Sequence, residues 1–104
     1  MPNYVLAYYG EPKFKNPEDG AKHMAKWRAW STSLKDSWVN PGSPLEKSKI
    51  VSLSGISDDN ASDRLTGYSV LKADSLEAAI AIAKKCPHLE HGTIHVAAAM
   101  EMEM

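Results

Sequence analysis

Residues 67–96, GYSVLKADSLEAAIAIAKKCPHLEHGTIHV, contain the signals that decide the fold. The stretch opens inside LTGYSVLKA (65–73), a run rich in β-branched and aromatic side chains that predicts a strand. Asp74 is well placed to cap a helix, and Glu77, three residues on, completes a capping-box pattern. Pro87 ends this helix because its ring disfavours helical geometry at the preceding residue. After a turn, apolar and polar positions alternate and predict a closing strand.

Upstream of this stretch, the sequence predicts one more strand followed by one more helix. NYVLAYY (3–9) is a typical strand sequence that ends at Gly10. Asn16 can cap a helix with Pro17 at its first position, and two acidic residues follow where the positive end of the helix dipole favours them. An apolar face then recurs at helical spacing, so we expect a helix over residues 17–36 that packs on a sheet.

The middle of the chain contains the least regular signals. WVNPGSPLEKS (38–48) includes Pro41 and Pro44, which favour an edge or turn segment over a central strand. KIVSL (49–53) is predicted as the second strand of the sheet. It would pair antiparallel with residues 65–73 around the polar loop SGISDDNASDR.

Composition restricts the class of protein and its partners. The chain has 104 residues and is expected to form one domain, residues 1–104. Its net charge of −1 provides no field that would recruit nucleic acid or anionic lipid. A single cysteine fits a reducing compartment, and no apolar run approaches the roughly 20 residues of a membrane span. We therefore expect a cytoplasmic protein that binds neither nucleic acid nor membrane.

The element order strand, helix, strand, strand, helix, strand predicts an α+β protein of the ferredoxin-like βαββαβ type. Its antiparallel four-stranded sheet would have both helices on one face. The other face would carry apolar or small residues, which need a cover. The last strand, for example, carries Ile94, Val96, Ala98, Met100 and Met102 on one side and Thr93, His95, Ala97, Ala99 and Glu101 on the other. A homodimer that stacks two such faces would bury them and enclose a cavity.

The sequence resembles the YCII-related family, which includes the DGPF-domain proteins, within the dimeric α+β barrel superfamily. The resemblance rests on YVLAYYG near the N-terminus and on the helix entry ADSLEAA and exit CPHL within residues 67–96. SDDNASDR (57–64) stands where DGPF members carry Asp-Gly-Pro-Phe. The resemblance implies a dimeric α/β barrel. In members similar to the founding YciI protein, it also implies a catalytic histidine near the start of helix one with an aspartate partner, which would here be His23 and Asp36.

Two sites are candidates for function. A histidine beside a carboxylate is oriented and made more basic, so His23 with Asp36 could act as a general base. Alternatively, His23 packs against Trp27 and Asp36 is a solvated acid. The second candidate is the barrel interior, where His95 and Tyr68 would provide polar groups for a small molecule. Tyr8 or Tyr9 would join them, since successive strand residues alternate in direction, and the alternative is a packed interface without a ligand.

A metal site and a cofactor are not expected. The potential ligands of the opening stretch are Cys86, His88, His91 and His95. They belong to a helix end, a turn and a strand, and therefore do not form a local zinc motif. The sequence leaves three functions open: cofactor-independent acid/base catalysis on an aromatic or carbonyl-bearing metabolite, ligand binding without catalysis, and chemistry similar to that of cofactor-free monooxygenases.

Overall fold

The computed structural model describes residues 1–100 and contains a four-stranded antiparallel sheet, a separate hairpin and two helices. The elements are β1 (Asn3–Tyr9), α1 (Pro17–Ser33), β2 (Trp38–Pro44), β3 (Lys49–Ser52), β4 (Gly55–Asp58), β5 (Leu65–Lys72), α2 (Leu76–Ala83) and β6 (Thr93–Ala98), with a 3-10 turn at Pro87–Glu90. The main sheet has the order β2-β5-β1-β6. The predicted α+β class is confirmed. The predictions for Glu101 and Met102 lie outside the described residues.

Both helices begin at side-chain caps. Asn16 caps α1 as predicted, since its Oδ1 accepts the Asp19 backbone N–H at 2.9 Å. Helix α2 is capped by Ser75, one residue after the predicted Asp74. Ser75 has an extended backbone, from which its hydroxyl accepts the Ala78 N–H at 3.1 Å. Helix α1 ends at Ser33, three residues before the predicted end.

The second strand of the main sheet is β2, and the prediction that residues 49–53 fill this position was wrong. Residues 49–52 pair instead with β4 in a two-stranded hairpin. Strand β2 pairs with β5 despite its prolines because it lies at the sheet edge, where a missing N–H leaves no unpaired partner. The pairing is irregular, with register shifts on both sides of Asn40. The prolines of residues 38–48 therefore indicated an edge or turn segment. The apolar run of residues 49–53, in contrast, did not indicate which strand it pairs with.

The helix-facing side of the sheet forms the core. Leu6 of β1 and Leu71 of β5 are completely buried there. Helix α2 approaches this face through Ala79 and Ala83, whose small side chains allow close contact. Helix α1 approaches through the larger rings of tryptophans, described below. Helix α1 therefore lies farther from the sheet than α2 does. The wider gap between α1 and the sheet has room for a cavity.

The opposite face of the sheet is not covered by any helix among residues 1–100. Val5, Ala7 and Tyr9 are half-buried on it, and the exposed His95 ring lies 4.4 Å from the Tyr9 ring, centroid to centroid. The hairpin is also exposed on both sides, including Ile50, Val51, Leu53 and Ile56. Within the described part of the chain, no helix is both long and apolar enough to cross a membrane.

Gly42 allows β2 to lie against β5, and replacing it with alanine should destabilise the fold. A Cβ at Gly42 would lie 1.7 Å from the Tyr68 carbonyl oxygen, and its φ of 78° disfavours any larger residue. We expect Gly42→Ala to lower the free energy of unfolding by about 3 kcal/mol, measured by urea denaturation. The matched control is Gly20→Ala in α1, where the nearest atom is a Phe14 ring carbon at 3.6 Å. It should raise stability by about 0.5–1 kcal/mol, and equal effects of both variants would contradict this description of β2.

Candidate functional site

A cavity of about 510 Å³ lies between α1 and the half of the sheet formed by β2 and β5. Its volume is within the range of small-molecule sites, roughly 300–1,000 Å³. The apolar wall includes Phe14, Met24, Trp27, Trp30, Trp38, Pro41, Pro44 and Leu45. The polar lining residues include Tyr8, Glu11, His23, Arg64, Ser69 and His88. An aromatic wall with a few polar groups is typical of a site for a flat organic molecule.

Three tryptophans, Trp27 and Trp30 of α1 and Trp38 of β2, form one wall of the cavity. The Trp27 and Trp30 rings meet edge to face with centroids 5.3 Å apart, and the Trp30 and Trp38 rings do so at 5.5 Å. Trp30 Nε1 donates to the Ile82 carbonyl of α2 at 3.2 Å, and Trp38 Nε1 donates to the Ser31 carbonyl of α1 at 3.0 Å. Because these bonds fix two of the three rings to backbone atoms, the wall is formed before a ligand enters.

Tyr8 is the β1 tyrosine that faces this cavity. Its ring packs against Trp27 with centroids 5.3 Å apart, and its hydroxyl donates to Ser69 Oγ at 2.8 Å. Ser69 in turn donates to the Pro41 carbonyl at 2.8 Å. Burial raises the pKa of the Tyr8 phenol above its ordinary value. Tyr8 therefore stays protonated and positions β2 through Ser69.

His23 is buried on the cavity side of α1, with its side chain only 6% exposed. The Trp27 indole donates to His23 Nε2 at 2.8 Å, while His23 Nδ1 lies 3.4 Å from Glu90 Oε2. An indole nitrogen can only donate, so Nε2 accepts and the proton of the neutral ring is on Nδ1, directed at the carboxylate. Burial lowers the pKa of His23, and the hydrogen bond that Nδ1 donates to Glu90 opposes this shift. His23 is thus a neutral base held between a donor and an acceptor.

Glu90 is the carboxylate partner of this histidine. It belongs to the turn after α2, and its Oε1 accepts from Lys26 Nζ of α1 at 2.7 Å. The Lys26 ammonium, together with smaller contributions from His23, holds the pKa of Glu90 below its usual value. The carboxylate is therefore ionised and oriented toward the histidine. The rings of Phe14 and His91 complete the surroundings of His23, with centroids 5.3 Å and 4.7 Å away.

His23, Glu90 and His91 also form a possible metal-ligand cluster, since their ligand atoms lie within 4.8 Å of one another. A metal on His23 Nδ1 would require the ring proton to be on Nε2. The Trp27 N–H already points at that nitrogen. The hydrogen bonds therefore favour a histidine–carboxylate pair over a metal centre.

The structure separates several residues that the sequence analysis grouped. Asp36 is exposed and follows the C-terminal end of α1, whereas His23 is in the N-terminal half. At 1.5 Å per residue, the helix between His23 and its end at Ser33 is about 15 Å long, so the structure does not bring the predicted His23–Asp36 pair together. His95 and Tyr9 lie on the open face of the sheet, opposite the cavity that Tyr8 lines.

Tyr68 also borders the cavity, beside Gly42 of β2. Four site residues were not predicted in their roles: Trp27 as a hydrogen-bond donor, Glu90, His88 and Arg64. The spacing of four between His23 and Trp27 places them on one helix face and is the only local signal. Glu90 is 67 residues from His23, and His88, which donates to the Tyr9 carbonyl at 2.8 Å, is 79 residues from its partner. Such contacts leave no pattern in a single sequence.

Comparisons with known proteins agree with this architecture. A similar solved structure is 5-chloro-2-hydroxyhydroquinone dehydrochlorinase (TftG) from Burkholderia phenoliruptrix in complex with 2,5-dihydroxybenzoquinone. The TM-score is 0.59 and the sequence identity 12%, over 91% of this chain and 90% of that chain, which shows a shared fold. No functionally curated protein matches the sequence. A family model described as the YCII-related domain matches residues 1–103. The chain therefore belongs to the YCII-related domain family.

Proposed function

We propose that this protein binds a planar aromatic metabolite with an acidic hydroxyl group and that His23 acts on it as a general base without a cofactor. The observation that carries the proposal is the state of His23 in the cavity wall. The ring is neutral, its proton is directed at the ionised Glu90, and its basic nitrogen lies beside Trp27. A neutral imidazole with a carboxylate behind it is suited to accept a proton near neutral pH.

The hydrogen bonds suggest how a hydroxyl would be activated. The substrate hydroxyl replaces the Trp27 indole at His23 Nε2 and transfers its proton to that nitrogen. Glu90 stabilises the resulting imidazolium through the Nδ1–H that it already faces. The Trp27 N–H, released from Nε2, becomes a donor for the oxyanion that forms. The proton and the charge each have a partner at every stage.

The aromatic wall supports a flat, ring-containing ligand. The rings of Trp27 and Trp30 offer perpendicular surfaces, between which an aromatic ring gains edge-to-face contacts. The dehydrochlorinase with a similar fold has 2,5-dihydroxybenzoquinone bound, a ring with acidic hydroxyls. This compound is therefore a suitable first probe.

A binding protein without catalysis is the second candidate, and one observation favours it. Nε2 of His23 is already satisfied by Trp27 at 2.8 Å, so a ligand that does not displace the indole would meet no free base. Oxygen-dependent chemistry is a third possibility, which oxygen consumption with a quinol substrate would reveal.

A homodimer is part of this proposal. The open face of the sheet carries the half-buried Val5, Ala7 and Tyr9, which a second copy would cover. The hairpin of β3 and β4 exposes apolar residues on both sides, and a two-stranded hairpin is marginally stable in water by itself. Contact with a second chain would bury both surfaces.

The catalytic proposal predicts that His23→Gln abolishes turnover with little loss of binding. Chloride release from 5-chloro-2-hydroxyhydroquinone measures turnover, and quenching of tryptophan fluorescence by 2,5-dihydroxybenzoquinone measures binding. Loss of a general base should lower kcat about 10²–10⁴-fold. The control is His95→Gln, on the opposite sheet face, which should leave both values unchanged. Binding by the natural protein with no turnover would establish the binding candidate instead, and equal losses in both variants would contradict the site.

The pairing of His23 with Glu90 also predicts a specific pH dependence. A base works only when neutral, so kcat/KM should fall as the pH drops through the lowered pKa of His23, below the usual value of about 6.5. Glu90→Gln removes the carboxylate that raises this pKa. It should therefore move the acid limb to still lower pH and reduce the plateau rate. An NMR titration of the His23 ring gives the pKa independently of turnover, and an increase in the variant would contradict the assigned pair.

Sedimentation at micromolar concentration tests the dimer. The expected particle has twice the mass of one chain, because the open sheet face and the hairpin both need cover. A single monomeric species at this concentration would contradict the proposed assembly.

A further inference from the structure

We propose that Arg64 binds the anionic group of the ligand, which makes the preferred ligand a hydroxylated aromatic carboxylate. This inference rests on the proposed function, since it assigns a second residue in the wall of the same cavity. Arg64 lines that cavity together with His23. Its role follows from how deeply its side chain is buried and how weakly it is paired.

The Arg64 side chain is only 9% exposed. Its backbone is fixed on both sides, since its carbonyl accepts the Gly10 N–H at 2.9 Å and its own N–H donates to the Ala61 carbonyl at 3.2 Å. The guanidinium is therefore held at the end of β1 and is withdrawn from water. A buried guanidinium remains charged and needs strong partners to compensate for lost hydration.

Among residues 1–100, the hydrogen-bond partners of Arg64 lie at long distances. Its Nη2 lies 3.4 Å from Glu11 Oε1, and its Nη1 lies 3.4 Å from the Leu65 carbonyl. Hydrogen bonds between charged groups are usually about 2.7–2.9 Å long. A guanidinium has five N–H donors in a planar fork that matches a carboxylate. Within the described part of the chain, the geometry leaves most of this donor capacity for a second anion.

A ligand carboxylate can replace Glu11 as the partner of Arg64. The Glu11 side chain is 46% exposed, so it can turn to water at small cost, whereas Arg64 is held in the wall. Within the aromatic cavity, a ligand carboxylate would meet the guanidinium where the dielectric is low and the attraction strong. The exchange replaces one long contact with a bidentate pair.

His23 and Arg64, which line the same cavity, together specify the ligand. His23 is neutral and accepts a hydroxyl proton, while Arg64 attracts a negative charge. A ring with a hydroxyl at one position and a carboxylate at another satisfies both residues.

Calorimetry with two matched probes tests this assignment. 4-Hydroxybenzoate and 4-hydroxybenzamide have the same ring and hydroxyl and differ in the charge of the second group. The natural protein should bind the benzoate about 10–100-fold more tightly, the range expected for a charge-assisted pair. Arg64→Gln should remove this preference and weaken amide binding much less than benzoate binding, because the amide carbonyl accepts a hydrogen bond but carries no charge. Arg64→Lys should keep part of it, and Glu11→Gln should strengthen benzoate binding because it removes the competing carboxylate.

Each other outcome overturns a stated part. Equal binding of the two probes by the natural protein overturns the role of Arg64 and leaves the proposed function in place. If Arg64→Gln weakens the binding of both probes equally, the contact between Arg64 and Glu11 has only a structural role. Binding of neither probe overturns this inference, and binding of 2,5-dihydroxybenzoquinone, measured alongside, then decides whether the proposed function stands.

Discussion

The contact chain of Tyr8, Trp27, Trp30 and Trp38 is the constraint on which the rest of the structure depends. Each ring meets the next nearly at right angles, and together they span from the sheet to α1 and on to β2. Large rings keep α1 at a distance from the sheet, whereas α2 lies close to it on Ala79. The cavity is a result of this difference in side-chain size. Its walls are rigid because the rings also bind backbone carbonyls of both helices.

The same packing determines the chemistry of His23. The ring is buried among aromatic side chains, where a positive charge is costly, and its nitrogens are satisfied by Trp27 and Glu90. Burial keeps the ring neutral, and the carboxylate keeps one nitrogen protonated. The histidine is therefore prepared to accept a proton at Nε2 only when something replaces the indole. In the proposed function, ligand binding and catalysis are linked through the hydrogen bond between Trp27 and His23.

The sequence predicted what depends on local patterns. The Asn16 cap and the stop at Pro87 are short-range features, and both helices and three strands of the main sheet were located from them. The choice between residues 38–44 and 49–53 as the second strand depends on pairing with a distant strand, which an apolar run does not encode. His23 was identified, but its partner was assigned to Asp36. Glu90 is brought to His23 only by the packing of the 3-10 turn against α1, so that no sequence spacing reveals it.

The cavity position was also beyond the sequence. Strand alternation established that Tyr8 and Tyr9 face opposite sides, but not which side would be open to a ligand. A crystal structure of the protein soaked with 2,5-dihydroxybenzoquinone would show where the ligand binds and what His23 contacts. We expect the ring between α1 and β2, with an oxygen within hydrogen-bond distance of His23 Nε2 and the Trp27 indole turned toward that oxygen. A ring bound instead on the open sheet face, against Tyr9 and His95, would contradict it.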